Sequence, residues 1–183
     1  MLTATKTRAT AQDYEALPEG ARYQLIEGEL IVTPSATFSH QDIVYELAGL
    51  LRAFLRKHRL GEAVGAPMDV FLDNDNAFQP DVLFIRTERL NIIKRGRVYG
   101  APDIVMEVLS PSNAYYDLNE KKSVYERNGV REYWIVDSVD KSIDILANRE
   151  SGFELIFAGR YVGEATSEVL PGFSVSLEHL FRF

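Results

Sequence analysis

The chain of 183 residues predicts a mixed α/β fold, in which helices cover the faces of a central sheet. Three observations indicate it. Apolar residues recur at the helical period of 3.6 in two long segments, near residues 39–57 and 116–128. Short apolar runs rich in β-branched and aromatic residues separate and follow these segments. The central order is therefore helix, strand, strand, strand, helix, strand, with a hairpin before it and further strands after it.

The N-terminal part predicts an arm and then a hairpin. Residues 1–20 read as a loosely ordered arm with one turn of helix at Ala11–Ala16, and residues 21–183 read as a single domain. The runs Arg22–Ile26 and Glu29–Thr33 flank Glu27-Gly28, which is typical of a tight hairpin turn.

One long amphipathic helix is predicted from about Ser39 to Lys57. Its apolar positions keep the helical period: Ile43, Val44, Leu47, Leu50, Leu51, Phe54 and Leu55. The end of this segment is basic, which suits the negative end of a helix dipole; its cations are Arg52, Arg56, Lys57 and Arg59.

The remaining elements follow from short apolar runs and from turn residues between them. We expect strands at 62–72 and 80–86, joined by Asp73–Asn76, then a short helix near 87–95, a strand at 103–110 and a helix from Tyr116 to Asn128 closed by Gly129. The rest is a buried strand at Glu132–Asp137, a hairpin of 142–147 with 153–158, a final strand, and a short helix ending near Leu180.

Composition excludes several classes of protein. There are no cysteines, so neither a disulfide framework nor a thiolate metal site can form. No apolar run approaches the roughly 20 residues that span a bilayer, and the N-terminus has no hydrophobic signal core. We therefore expect a cytoplasmic protein with no membrane partner.

The net charge of −7 argues against tight non-specific binding to nucleic acid, but the charge is unevenly distributed. Residues 86–131 carry 9 basic and 6 acidic residues, whereas both flanking parts are acidic. The basic excess therefore coincides with the part of the chain that carries the candidate site.

The candidate site rests on carboxylates at strand positions. Glu107 interrupts the apolar run 103–110, and burying an unpartnered carboxylate costs on the order of several kcal/mol, which either a cation of the protein or a bound metal ion must offset. Asp81 stands at the start of another apolar run, and Lys121 lies on the following helix. Two acids and a lysine are the parts needed to hold a divalent cation beside a phosphodiester.

These side chains can meet if the two strands are neighbours. Adjacent strands lie about 5 Å apart, so Asp81 and Glu107 could share one ion such as Mg²⁺, which accepts two carboxylates and retains waters. Asp117, Lys121 and Tyr125 are spaced four residues apart and share one helix face, so the lysine can point at the acids. A plain Asp–Lys surface pair is the alternative reading of that spacing.

An ordered set of motifs resembles the Uma-type family of bacterial restriction-endonuclease-like proteins in the PD-(D/E)xK nuclease superfamily. The set consists of Gln79-Pro80-Asp81, Glu107-Val108-Leu109-Ser110-Pro111-Ser112, Asp117-x3-Lys121-x3-Tyr125 and Gly129-Val130-x-Glu132-Tyr133-Trp134-x-Val136-Asp137. The resemblance extends from Tyr23 to Leu180. It implies a restriction-endonuclease-like core and Mg²⁺-dependent hydrolysis of phosphodiesters, with Mn²⁺ as a substitute. By this resemblance Asp81 and Glu107 are metal ligands and Lys121 is the catalytic lysine.

The sequence departs from the superfamily pattern at one position. The lysine expected two residues after the glutamate is Leu109 here, so Lys121 would have to replace it. A second Pro-Asp pair ends in Asp103, which would lie roughly 13 Å from Glu107 along one strand, too far to share an ion. We interpret Asp103 as structural.

Weaker candidates complete the predicted pocket. Glu29 and His40 resemble positions that the family places near the site, although each could equally be a surface residue. Glu46 is interpreted as a solvated charge. Ser110–Ser112 lacks a nucleophile elbow, and the chain has only three histidines, so a serine hydrolase is not expected.

Two readings thus compete. The first is an endonuclease that acts on double-stranded DNA, expected to be a homodimer because two strands must be cut. The second is a non-catalytic binding or regulatory domain that keeps the nuclease fold. A two-carboxylate glycosidase is disfavoured, since it leaves Lys121 unexplained.

Overall fold

The structure is a computed structural model and describes residues 8–18, 20–110 and 114–182. Its helices are α1 (Ala11–Glu15), α2 (Phe38–His58), α3 (Lys122–Arg127) and α4 (Leu177–Leu180), with a 3₁₀ helix at Thr87–Ile92 and a π-helical segment at Tyr116–Lys121. Its strands are β1 (Tyr23–Ile26), β2 (Glu29–Val32), β3 (Gly61–Gly65), β4 (Val70–Asp73), β5 (Asn76–Phe78), β6 (Val82–Arg86), β7 (Ile93–Lys94), β8 (Arg97–Tyr99), β9 (Ile104–Leu109), β10 (Glu132–Asp137), β11 (Ser142–Arg149), β12 (Gly152–Arg160), β13 (Glu164–Thr166) and β14 (Ser174–Ser176).

The strands form two large mixed sheets and one small one. The order in the first sheet is β2-β1-β5-β4-β8-β7, and in the second it is β12-β11-β10-β9-β6-β3. In the second sheet β9 and β10 are parallel, whereas β6 pairs antiparallel with both β9 and β3. The fold class is confirmed: α2, β3, β6, β9, the helical segment that ends with α3, and β10 keep the predicted core order.

Alternation along β9 divides the core into two layers. Ile104, Met106 and Val108 pack with α2 and the C-terminal β13–β14 unit, whereas Val105 and Leu109 face α3 and the first sheet. Glu107 has the same parity as the second set, so it points to the side where the two large sheets meet. Because both faces of β9 are covered by packed elements, the strand is buried along its whole length.

The hairpin and the long helix form as predicted because their signals are local. Glu27 and Gly28 both have positive φ, 49° and 76°, which suits a two-residue turn between β1 and β2. Thr37 caps α2, since its side chain accepts a hydrogen bond from the backbone N–H of His40.

The expected strand at 62–72 is wrong. It breaks at Ala66–Asp69, where Pro67 removes a backbone donor, into β3 of the second sheet and β4 of the first. Asp73–Asn76 then turns the chain into β5, a strand that was not predicted. The short helix expected near 87–95 ends at Ile92, and β7 begins at Ile93. The strand errors arise because the chain passes from one sheet to the other, and the apolar pattern of a single segment does not indicate which sheet it joins.

The described part of the N-terminal segment is packed against the fold. This differs from the loosely ordered arm expected for residues 1–20. Helix α1 lies within the predicted turn, and Tyr14 is buried against Leu25, Phe71 and Ala77. The Tyr14 hydroxyl also donates to Asp69 Oδ1 at 2.9 Å. Residues 1–7 and 19 of that expected arm lie outside the described residues, as do Pro111 and Ser112 of the quoted motif. Among the described residues, no helix has the length and apolar content to cross a membrane.

Candidate active site

Asp81 and Glu107 lie opposite each other where the chain crosses from the first sheet into the second. Gln79-Pro80-Asp81 connects β5 to β6, and the pairing of Val82 with Met106 continues so that Asp81 faces Glu107. The Asp81 backbone N–H donates to Glu107 Oε2 at 3.4 Å, and the Val108 backbone N–H donates to Asp81 Oδ2 at 2.8 Å. The two predicted acids are therefore brought together.

Glu107 is buried, with 2% of its surface exposed, and it needs compensating partners. Its Oε1 accepts hydrogen bonds from Lys121 Nζ at 3.1 Å and from the Tyr125 hydroxyl at 2.7 Å. Burial raises the pKa of Glu107 to about 8, although Lys121 opposes that shift. Without a metal ion, the carboxyl group therefore holds a proton more readily than a surface glutamate does.

Lys121 lies between two carboxylates inside the molecule. Its Nζ is 3.1 Å from Glu107 Oε1 and 2.8 Å from Asp117 Oδ1. Burial alone would lower the pKa of Lys121, but the charges of Glu107 and Asp117 outweigh burial and raise it above its ordinary value. The ammonium therefore keeps its charge. Of its three protons, two face these carboxylates, and the side chain also borders the cleft described below.

Asp117 is the second carboxylate that contacts Lys121. It is almost fully buried, and burial raises the pKa of its carboxyl group despite the neighbouring Lys121. The Tyr133 hydroxyl donates to the Asp117 backbone oxygen at 2.9 Å, which fixes the π-helical segment to β10. Such π-helical segments recur at functional sites. The Asp–Lys surface pair considered from sequence is excluded, because both residues are buried.

Tyr125 donates to Glu107 from a buried position that does not line the cleft. Its ring packs edge-on against Phe78 at a centroid distance of 5.4 Å and lies beside Tyr133. Burial raises the pKa of Tyr125 well above its ordinary value, so the hydroxyl stays a donor to Glu107. The predicted common face of Asp117, Lys121 and Tyr125 is thus the face that points inward.

His40 contacts the other acid from the first turn of α2. Its Nε2 is 3.3 Å from Asp81 Oδ2. Partial burial lowers the pKa of His40, but the hydrogen bond and the negative charge of Asp81, together with smaller contributions from Val108 and Glu107, outweigh burial and raise it. His40 Nδ1 is buried with no hydrogen-bond partner among the described residues. The sequence-based interpretation of His40 as a pocket residue agrees with this position.

A cleft of about 220 Å³ opens onto these groups. Its polar lining includes residues that the sequence did not single out individually: Arg22, Gln24, Thr33, Gln41 and Gln79. Gln24 is buried and accepts a hydrogen bond from the Gln79 backbone N–H at 3.1 Å, although 55 residues separate the two. Only Gln79 carried a signal, as part of the Gln-Pro-Asp motif. Glu29 does not line the cleft, since it is exposed in β2.

The donor set fits a hard divalent cation. Within the described ranges no group of three or more His, Asp or Glu side chains is placed to hold a metal ion, so the carboxylates of Asp81 and Glu107 would have to share it with waters. Mg²⁺ is commonly bound through one or two carboxylates together with waters and substrate phosphates. The pair therefore suits Mg²⁺ or Mn²⁺ better than ions that need a complete protein cage.

Asp103 has a different environment, as its structural interpretation requires. Its buried carboxylate is 2.9 Å from Arg89 Nη1 and 3.3 Å from Arg131 Nε, and it accepts the Arg86 backbone N–H at 3.0 Å. Glu46 lies on the outer part of α2, where its Oε1 is 3.0 Å from His179 Nε2. Neither acid lines the cleft.

Comparisons with known proteins agree with this architecture. Residues 11–178 match the Uma2 family, whose description is "Putative restriction endonuclease". An uncharacterized protein, sll1609 of Synechocystis sp., is 27% identical over 140 residues, which cover 75% of this chain and 79% of that protein. A crystal structure of a putative nuclease belonging to DUF820, from Anabaena variabilis, superposes with a TM-score of 0.79 at 19% identity, covering 94% of this chain and 97% of the other.

Proposed function

This chain belongs to the Uma2 family, and on that premise we propose that it is a metal-dependent endonuclease that hydrolyses phosphodiester bonds in DNA. One observation carries the proposal: Asp81 and Glu107 face each other across β6 and β9, and the buried cation of Lys121 lies against Glu107. Paired carboxylates beside a cation at a cleft are suited to an anionic substrate that brings its own ligands to the metal.

The proposed metal ligands are Asp81 and Glu107, and the proposed ion is Mg²⁺, with Mn²⁺ as a substitute. When bound, such an ion supplies Lewis acidity toward a phosphoryl oxygen and lowers the pKa of a coordinated water. The protein's contribution is to hold two carboxylate oxygens on neighbouring strands. The β6–β9 hydrogen bonds fix that spacing, because the Val108 N–H orients Asp81 and the Asp81 N–H orients Glu107.

Lys121 acts as a fixed positive charge in this proposal. Its raised pKa favours the ammonium over the neutral amine that a general base would need at neutral pH. The N–H group of the ammonium that does not face a carboxylate can donate a hydrogen bond to a phosphate oxygen or to the attacking water. Such a hydrogen bond stabilises the negative charge that builds up in the transition state. Asp117 and Tyr125 keep the lysine and Glu107 in place.

DNA is the proposed substrate, and RNA is the alternative substrate to be tested in the same assay. Arg22 and Gln24 line one wall of the cleft, where they could contact phosphates or bases. Cutting both strands of a duplex requires two active sites or two encounters, and we propose a homodimer for that reason. Light scattering on the purified protein tests the dimer.

The direct test is nicking of supercoiled plasmid in Mg²⁺ or Mn²⁺. The wild type should nick the plasmid, EDTA should stop it, and Asp81→Ala and Glu107→Gln should each lower the rate by at least about 100-fold. The matched control is Glu29→Gln, which removes one exposed carboxylate outside the cleft and should nick like the wild type. Equal nicking by Asp81→Ala and the wild type would contradict the proposed site.

The second candidate is a binding domain without turnover. It is favoured by the net charge of −7 and by Leu109, which stands where the superfamily pattern has its lysine. Binding of DNA without nicking in either metal, on supercoiled plasmid and on single strands, would support this candidate over the nuclease.

A further inference from the structure

Three arginines at the C-terminal end of α2 lack the acidic partners that other arginines of this protein have. Arg52, Arg56 and Arg59 are exposed and border a basin of about 380 Å³ that contains one carboxylate, Glu62. In the described part of the chain, no carboxylate lies within ion-pair distance of any of the three guanidinium groups. By contrast, ion pairs involve nine others: Arg8, Arg86, Arg89, Arg97, Arg127, Arg131, Arg149, Arg160 and Arg182.

These arginines belong to one side of α2 that begins at the cleft. Starting from Gln41, spacings of four, seven and four residues lead through Tyr45 and Arg52 to Arg56, and such spacings keep side chains on one side of a helix. We name these four residues, with Arg59 at the helix end, the α2 stripe. Gln41 lines the cleft and Arg52 lines the basin, so the stripe joins the two depressions.

The middle of the stripe is open. Tyr45 is 74% exposed. The next turn carries Gly49, where an added Cβ would meet nothing within 4 Å. Among the described residues, no atom therefore lies close over α2 at Gly49, and an extended ligand could pass there.

The neighbouring flank of α2 is occupied, which distinguishes it from the stripe. Glu46 contacts His179 at 3.0 Å and Arg182 at 3.5 Å, so the C-terminal segment closes that flank. The helix dipole favours cations at a C-terminus, but Lys57 in the last turn would interact with it equally well. The dipole does not explain why three cations align with Gln41 and Tyr45.

We propose that the α2 stripe binds the phosphate backbone of duplex DNA where it leaves the cleft. The inference rests on the proposed function for the nature of the ligand. From Gln41 to Arg56 the helix rises about 22 Å, which matches about six to seven base pairs of duplex. Guanidinium groups suit phosphates, and in a protein with net charge −7 a local cluster of unpaired arginines supplies the attraction that the whole molecule lacks.

Binding can be measured without cleavage in an Asp81→Asn background. Fluorescence anisotropy would follow a labelled duplex of about 20 base pairs over salt from about 50 to 200 mM. The stripe variant adds Arg52→Gln and Arg56→Gln. The matched control adds Lys57→Gln and Lys94→Gln, two exposed cations off the stripe, so both variants lose two charges. Thermal unfolding checks that each variant is folded.

In the stripe variant, the slope of log affinity against log salt should become less negative by about 2. Binding should also be weaker by more than about tenfold at the lowest salt. The control should behave like the Asp81→Asn parent. Equal slopes for the stripe variant and the parent would overturn the inference, as would an equal loss in the control. A stripe variant that keeps the slope but dissociates a dimer would assign the surface to contact between two copies.

Failure of this inference and failure of the proposed function give different results. Slopes that do not depend on the stripe, together with metal-dependent nicking by the wild type, would contradict only the stripe. Binding that depends on the stripe, in a protein that never nicks, would support the stripe and contradict the nuclease.

Discussion

The Tyr125 hydroxyl donates to Glu107 Oε1 at 2.7 Å, inside the molecule and behind the cleft. The same oxygen accepts a hydrogen bond from Lys121, so Oε1 is occupied by protein donors and Oε2 is the oxygen on the Asp81 side. Two side-chain donors thus hold Oε1, whereas Oε2 has only the longer contact with the Asp81 backbone N–H and is the oxygen that we propose for the metal ion.

We expect Tyr125→Phe to weaken both stability and metal binding. The variant removes a hydrogen bond to a buried carboxyl group, which costs about 1–3 kcal/mol in the free energy of unfolding. The lost bond also favours the ionised form of Glu107, so the pH midpoint of metal binding should move upward. Urea unfolding and metal titrations at several pH values measure the two effects.

Tyr133→Phe is the control for that variant. Tyr133 is equally buried, but its hydroxyl donates to the Asp117 backbone oxygen. It should lower stability by a similar amount and leave the pH midpoint unchanged. Equal pH shifts in the two variants would contradict the role assigned to Tyr125.

Metal binding should release protons near neutral pH. Burial raises the pKa of Glu107 to about 8, so the metal-free carboxyl is mostly protonated at pH 7, and an ion must displace that proton. Calorimetry in buffers of different ionisation enthalpy should detect a release that approaches one proton at about pH 7 and vanishes above about pH 9. Binding at pH 7 without any proton release would contradict this account of Glu107.

The same shift predicts how stability depends on pH. An acid whose pKa is raised in the folded state holds its proton more tightly there than in the unfolded chain. The contribution of Glu107 is therefore fully present below its ordinary value of 4.5 and is lost as pH rises through about 8. Glu107→Gln should flatten the decline in unfolding free energy across this window, measured without metal.

Removal of the buried cation should be costly. Lys121→Met leaves Glu107 and Asp117 without their shared partner, and breaking a buried ion pair in this way costs about 3–5 kcal/mol. Nicking should fall by about 100-fold or more. The measurements are urea unfolding and the nicking rate. Lys122→Met, one residue along the chain and half-exposed, is the control and should change neither by much.

Asp103 provides a test of the choice between the two Pro-Asp pairs. Asp103→Asn weakens the ion pairs to Arg89 and Arg131, and we expect a loss of about 3 kcal/mol in stability. Its affinity for Mn²⁺ should equal that of the wild type, because Asp103 does not border the cleft. A loss of Mn²⁺ binding by a folded Asp103→Asn protein would show that the wrong aspartate was assigned to the metal.

Elements whose signals are local could be predicted from the sequence. The Glu27-Gly28 turn, the amphipathic α2 and the inward face of Asp117, Lys121 and Tyr125 depend on residues only a few positions apart. The contact between Lys121 and Glu107 was also predictable, since a carboxylate at position 107 in an apolar strand needs a counter-charge.

Features that depend on distant pairing could not be predicted. Whether β4 joined β3 in one strand or crossed to the other sheet depended on partners near residues 77 and 98, and the apolar pattern of 62–72 fits both. Gln24 meets Gln79 only because the first sheet brings β1 beside β5. Likewise, the arginines around Asp103 come from two separate segments of the chain, one with Arg86 and Arg89 and the other with Arg131.

The central claim is that Asp81 and Glu107 together hold one divalent ion, and a Mn²⁺ titration followed by electron paramagnetic resonance tests it most directly. The wild type and Glu29→Gln should each bind one ion per chain, whereas folded Asp81→Asn and Glu107→Gln should bind none in the same concentration range. Binding of Mn²⁺ by both carboxylate variants with wild-type affinity, or no binding by the wild type, would contradict the claim.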